Sequence, residues 1–577
     1  MKRFLSVLIL IALLCSSLLA CGDDKEKGDT GADVNTDFAK GSEEMFTDRD
    51  KEQTGAVGGE ITITLKDGGS SASDASVLIS GDTITLTKDA TYVISGELTC
   101  GSLIVDMPEA AKPQLILSEV SVTCADSAAL YIKECDKVFV TLEENTENTF
   151  SVSGDFAETD EGVDGAIYSK QDITFNGAGS LSVSCAAAHA VVAKDDFVVT
   201  GGVYTITSAS HGVDANDSIR LTGAVMTVSS GKDALHAENK DDATLGFVYI
   251  ESGEYILSSA GDGISAGYYV QIEGGSFNIV TGGGSENGES HTSDGWGNMG
   301  GFGGGRPGIR SSSSDTTEDS TSIKGIKAAD TVLINSGKLV LDTADDAVHS
   351  NASVAVRGGE HEIETGDDAL HADGTLAISG GTVVINESYE GLEGLDISVS
   401  GGKIKITADD DGINAAGGND SSGFGGVRGD SFGGSSNGSI TVSGGEVYMN
   451  ASGDGIDANG SFKMTGGLVT VCGPTSGDTS VLDYDREAII SGGTFIGTGA
   501  NMMAQTFSSS EQGVIAVTVG NQSAGTLITL VDSSGEEILS YEPALSFQIV
   551  IISTPDMKSG KEYTITVGGA SGTFEAA

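Results

Sequence analysis

From Ile61 onward, apolar and polar residues alternate in short runs such as "ITITL", "TITLT", "YVISG" and "SLIVD". Alternation at period two predicts strands with one face on a core, and the Gly, Asn, Asp and Ser between the runs predict turns. Helical periodicity is almost absent. The runs fall into a longer repeat. Five-residue cores begin at His189, His211, Asp233, Asp262, Lys324, Asp346, Asp368, Glu390, Asp411 and Asp454, most of them 21 or 22 residues apart. Position 3 of the core is Val, Leu or Ile throughout, and position 2 is Gly or Ala. Each core is followed by a strand, a Gly-Gly turn and another strand, as in "TLAISGGTVVINES".

Three short strands in about 22 residues suit one rung of a parallel β-helix, in which each strand pairs with its equivalent one rung away. The expected fold class is therefore all-β, with position 3 stacked inward and position 4 pointing outward as a solvated ladder. The repeat is expected over residues 60–500. Three inserts interrupt it: 238–244, 281–322 and 417–438. They lie before or after a core, so they flank the face that carries the cores and make it the floor of a groove, which suits a polymer. From about Asn501 the repeat stops, and alternating strands in 501–577 predict a small β-sandwich or capping sheet. Some cap is required, because the end of the coil is an unpaired sheet edge.

The first 59 residues read differently. Lys2 and Arg3 precede an apolar run, Phe4 to Leu19, that ends in Leu-Leu-Ala-Cys at Cys21. This is the pattern of a bacterial lipoprotein signal, 1–20, with Cys21 as the lipidated residue. Residues 21–59 are acidic and aperiodic and are expected to be a flexible tether. The chain is thus expected to be exported and anchored to a bacterial membrane through Cys21, facing the exterior or the periplasm, and to be monomeric.

Charge narrows the partners. The formal net charge is −54, from 84 acidic and 30 basic residues. Nucleic acid is excluded as a partner, since affinity there comes from Lys and Arg neutralising phosphates. The cysteines show no C-x-x-C spacing, which argues against a cysteine-rich zinc site. Cys100 and Cys124 stand about one rung apart, and an exported chain allows either a disulfide or two free thiols there.

Stacked rungs lie about 4.8 Å apart. Position 1 then lines up Asp346, Asp368, Glu390, Asp411 and Asp454, and position 4 lines up His349, His371, Glu393, Asn414 and Asp457. Two carboxylates at that spacing repel by roughly 3 kcal/mol at an effective dielectric near 20. Ca²⁺, which takes oxygens from carboxylates, carbonyls and water, would relieve the repulsion. The expected ligands are Asp345, Asp346, Asp367, Asp368, Glu390, Glu393, Asp410 and Asp411. The competing reading is plain corner chemistry, because Asp and Gly are what tight turns favour. His349 and His371, one rung apart, form either a solvated pair or part of a metal or acid–base site. Zinc would need further ligands, and only Glu393 suggests itself. The groove would be lined by His349, His371, Asn414 and Asp457, with Trp296 and Phe424 of the inserts stacking on sugar faces.

Three stretches carry a family resemblance: "YVISGEL" at 92–98, "GAIYSKQDITFNGAGSLSV" at 165–183 and "SYEGLEGLDISVSGGKIKITADDDGINAAGG" at 388–418. With them, residues 60–570 resemble bacterial cell-surface, calcium-containing, carbohydrate-binding proteins. Their fold is a right-handed parallel β-helix like that of pectate lyases. The resemblance implies binding of polysaccharide of the cellulose or pectic type without cleavage, and no catalytic residue is assigned. Two alternatives stand beside it. One is a Ca²⁺-dependent lyase, for which Lys324 or Lys327 would take the C5 proton of a uronic acid; the favoured reading of these two lysines is that they relieve charge repulsion where they interrupt the acidic column before Asp346 and His349. The other is an adhesin or scaffold that binds a protein through the Gly-rich inserts.

Overall fold

The computed structural model of the 577-residue chain describes residues 34, 36–53, 55, 57–157, 162–288, 322–416, 437–477 and 479–577. These residues are almost wholly β: one sheet of 45 strands and a second of four. The only described helices are one turn at Ser42–Met45 and a 3₁₀ turn at Ser285–Asn287.

Most strands of the large sheet pair in parallel with the strand three further along, so the chain circulates through three columns. In the first column Val213–Ala215, Leu235–Ala237, Ile264–Ala266, Ile326–Ala328 and Val348–Ser350 follow one another, and the last pairs with Leu370–Ile378. Register runs Val348↔Leu370↔Leu392↔Ile413↔Ile456, as the repeat predicted. It continues beyond the ten cores, through Leu103↔Leu130↔Ile167↔Val191 on one side and Ile456↔Leu482 on the other. All these position-3 side chains are at most 2% exposed. Burying each contributes about 1.5–3 kcal/mol, which is why this position tolerates only aliphatic residues.

The Gly-Gly turns are a column of their own. Gly381, Gly402, Gly445 and Gly467 all have φ between +81° and +88°. A β-carbon at Gly402 would lie 3.0 Å from the backbone of Gly380 one rung earlier. Both the left-handed backbone and the close approach select glycine.

The expected tether, 21–59, contains a segment that is not free of the fold. Residues 36–53 are docked on the outside of the coil. Phe38, Met45 and Phe46 pack with Val198, Tyr249 and Tyr269 of the second column. Arg220 donates to the carbonyl of Met45 at 3.0 Å, and Gln271 to that of Lys40 at 2.9 Å. Asp50 is 1% exposed, with its Oδ1 2.8 Å from Lys137 Nζ and 2.6 Å from Thr174 Oγ1. Burial alone would raise its carboxyl, but the Lys137 and Thr174 contacts hold it down at about 2. Acidic composition concealed this strap, because its few apolar anchors have no period.

At the far end, Glu487–Gly499 pairs in parallel with the preceding rung and antiparallel with Phe547–Ser553, ending the circulation. Phe547, Val550 and Ile552 then pack against Ile528, Leu530 and Ile565 of the four-stranded sheet. The cap expected over 501–577 is a two-layer sandwich that shares one layer with the coil. Cys100 and Cys124 are both free. Leu98↔Val122 register brings the two into line, yet Cys124 is buried in the core and Cys100 is exposed, so their side chains diverge.

The corner after the first column gathers Asp172, Asp195, Asp196 and Asp217. Burial, then Asp172 and a hydrogen bond with Asp217, push Asp195 up to about 7. A carboxyl raised in the folded state binds its proton better there than in the unfolded chain. Its stabilising contribution is therefore full below about pH 4 and lost as pH rises through about 7. Asp195→Asn is expected to raise Tm more near pH 8 than near pH 5, with calorimetry in EDTA as the measurement. An equal change at both values would contradict this account.

Candidate functional site

The acidic column at position 1 has a backbone job. Every aspartate of the column reaches to the next rung, where its Oδ1 accepts the main-chain N–H of the equivalent residue, whereas Glu390 does not. Asp233 accepts from Asp262 (2.8 Å) and Asp262 from Lys324 (2.7 Å). Asp346 accepts from Asp368 and Asp368 from Glu390, both at 3.1 Å. Asp411 accepts from Asp454 (2.5 Å), and Asp454 from Ser480. Such a hydrogen bond contributes about 0.5–1.5 kcal/mol, and about 1.5–3 kcal/mol where the acceptor is charged, as at Asp346 and Asp233. Corner chemistry thus explains one oxygen of each of these aspartates and leaves the other to meet position 4 or Lys324.

The second oxygens converge with position 4, and this face is not the solvated floor that alternation suggested. His349, His371 and Asn414 are 5%, 1% and 3% exposed, while Glu393 and Asp457 are half-buried. Position 4 does point away from the coil's interior. However, its side chains stack one rung apart against the acids of position 1 and cover one another.

Three groups result. In the first, Asp345, Asp346 and Asp367 bring carboxylate oxygens within 4.8 Å of one another. Lys324, 3% exposed, sits among them with Nζ 3.1 Å from Asp345 and 2.5 Å from Asp346. Burial opposes ionisation of Asp346, yet the Lys324 ammonium and a 2.9 Å contact from His349 hold its carboxyl well below the usual range. Lys324 is therefore a structural counter-ion and not a free base. Arg357 lies elsewhere, exposed and bonded to Thr36.

The second group is Asp368, His371 and Glu393. Burial, then Asp367 and Glu393, drive the Asp368 carboxyl well above its ordinary range. Burial disfavours a charged His371, but Asp368, Asp373 and Glu393 around it overcome that and raise it well above the ordinary histidine range.

The third group is all oxygen: Asp411, Asp454 and Asp457, again within 4.8 Å. Burial and the charges of Asp454 and Asp410 push Asp411 well above normal, and burial carries Asp454 to about 8. Among the described residues no ion pair joins Asp411 or Asp454 to a Lys, Arg or His. Asp410 and Asp411 both turn an Oδ1 over Gly453, where any β-carbon would collide with them. Beside this group, Glu390 Oε1 accepts from Asn414 Nδ2 at 2.9 Å, while its Oε2 is buried without a hydrogen bond.

Six of the eight expected ligands fall into these three separate groups and not one ladder, while Glu390 and Asp410 lie beside the third. Sequence reasoning gave Asp454 to the column and Asp457 to the groove, where the two in fact meet Asp411. It also passed over His211, Asp233 and His236, a further cluster two rungs before Lys324. The same core motif carried that signal. Trp296, Phe424 and Cys21 lie outside the described residues. The two long inserts leave from opposite edges of the first column. One follows Ser276–Thr281 and returns at Ile323, whose carbonyl accepts from Thr281 Oγ1 at 2.7 Å. The other follows Ile413–Asn414 and returns at Gly438–Val442.

A family model described as carbohydrate-binding domain-containing protein matches residues 80–369 and 367–540, most of the chain. The chain belongs to that family. A carbohydrate-binding domain-containing protein of Acetivibrio thermocellus is 31% identical over 127 residues, 21% of this chain. The match spans 44% of that relative's length. A solved structure described as the polysaccharide lyase-like protein from C. thermocellum, a gadolinium derivative, is 25% identical with a TM-score of 0.37. It covers 39% of this chain and 92% of its own.

Proposed function

We propose that this chain is a surface-tethered, non-catalytic polysaccharide-binding protein. In this reading it is a right-handed parallel β-helix, exported and held to the membrane through Cys21. It binds a cellulose- or pectic-type polymer along the first column, between the two long inserts. Ca²⁺ at Asp411, Asp454 and Asp457, with Asp410 and Glu390 beside them, neutralises the acids and meets the polymer's oxygens. The observation that carries the calcium part is the all-oxygen group itself: half-buried carboxylates with no counter-ion among the described residues at Asp411 or Asp454. Hard cations take such oxygens at about 2.3–2.6 Å. Asp345, Asp346 and Asp367 are left out of this ion's site, because Lys324 already supplies positive charge there. The same lysine's burial and double ion pair remove it as the free base a lyase needs, which leaves Lys327, its side chain 31% exposed and 3.9 Å from Asp262, as the one base for that reading.

A glycan array with purified residues 22–577, run with Ca²⁺ and with EDTA, tests this. Binding to cellulose or pectic acid that EDTA weakens is expected, with no ultraviolet-absorbing unsaturated product. Absence of binding to any glycan would sink the reading, and an unsaturated product would replace it with the lyase.

A further inference from the structure

His371 is 1% exposed, and neither ring nitrogen has a hydrogen-bond partner. Yet carboxylates surround it. Its Nδ1 is 3.0 Å from Glu393 Oε2, 3.4 Å from Asp368 Oδ2 and 3.6 Å from Asp346 Oδ2. The directions are wrong for hydrogen bonds, but the separations have another reading. Donors bound at about 2.0–2.2 Å around a tetrahedral ion stand roughly 3.3–3.6 Å from one another. We propose that His371 Nδ1, Asp368 Oδ2 and Glu393 Oε2 hold a divalent transition-metal ion of the zinc class, with Asp346 and His349 closing one side.

Charge supports the same centre. Lys324 answers Asp345 and Asp346, whereas among the described residues Asp368 and Glu393 face no cationic side chain but His371. Two carboxylates match one divalent ion. The other ring nitrogen, Nε2, faces Asp373 Oδ1 at 3.5 Å, an oxygen that also lacks a hydrogen bond. A carboxylate behind a metal-bound imidazole fixes its tautomer and strengthens it as a ligand. The imidazole selects the metal class, since Ca²⁺ and Mg²⁺ prefer oxygen alone. The His211–Asp233–His236 cluster, four rungs earlier in the same column, shows the contrast. There His211 Nδ1 accepts the Asp233 N–H (3.3 Å) and His236 Nδ1 bonds Asp233 Oδ2 (2.8 Å), so these nitrogens are committed. Because Asp368 and Glu393 sit on consecutive rungs, the ion would clamp two turns of the coil together.

The test uses residues 22–577 stripped with EDTA and titrated with CoCl₂. A stoichiometric uptake with the intense visible bands of a low-coordinate cobalt site is expected, displaced by ZnCl₂ but not by CaCl₂. His371→Gln is expected to lose the bands, and Asp373→Asn to weaken uptake roughly 10- to 100-fold. Circular dichroism checks folding, and Glu393→Gln serves if His371→Gln does not fold. Absence of stoichiometric uptake, or unchanged bands in the folded His371 and Glu393 variants, would overturn the proposal. Calcium and glycan titrations of the same samples report on the all-oxygen group separately.

Discussion

Lys324→Met is expected to destabilise the protein by about 3–5 kcal/mol, the cost of stranding a buried charge by removing its partner. Asp346 is fully buried and Lys324 3% exposed, with the ammonium 2.5 Å from one carboxylate and 3.1 Å from the next. Methionine keeps the volume of the stem and removes only the charge. The backbone of Lys324 would still donate to Asp262, so the ladder itself stays intact. Removing both charges together, as Lys324→Met with Asp346→Asn, should recover part of the loss, because the stranded carboxylate goes with the lysine. Urea unfolding monitored by circular dichroism measures both. A loss below about 1 kcal/mol, the size of an exposed ion pair, would show that water reaches the site and that Lys324 is not its counter-ion.

What was readable beforehand follows from which forces are local. Position 3 was legible because inward stacking permits only aliphatic residues, so Leu370 and Ile413 announce their column. Outer rungs were missed where loops change the spacing, although Ala129-Leu130 and Ala166-Ile167 keep the small-then-aliphatic pair. Burial at position 4 was not legible. A histidine that points away from the core is covered only by side chains one rung distant, and alternation within a strand carries no record of that. The charge role of Lys324 was legible, because it interrupts the acidic column one rung before Asp346, but its burial was not. The docked strap failed for a different reason. Asp50 reads as a tether residue until Lys137 and Thr174 are seen beside it. The acids of position 1 were open to two readings, corner and cation, and each aspartate there has two oxygens: one caps a backbone amide, and the other turns outward.

Leu370→Ala is expected to cost about 2–5 kcal/mol, the range for emptying a buried leucine site. The side chain is 2% exposed and stacks in register between Val348 and Leu392. Interfaces in a coil of this kind are made only with the rungs above and below, so the lost contacts cannot be replaced from elsewhere. Leu370→Met, which roughly conserves volume, should cost less than about 1.5 kcal/mol. The alanine variant should also act on the site. Leu370 lies between Asp368, which caps Glu390, and His371, which faces Glu393. Relaxation of the rung into the vacated space would move both groups against the following turn. Cobalt uptake at His371 should therefore weaken together with stability in the alanine variant and stay near the parent value in the methionine variant. Chemical denaturation and cobalt titration of the two variants separate the effects. Equal stabilities for alanine and methionine would mean that this column does not carry the fold.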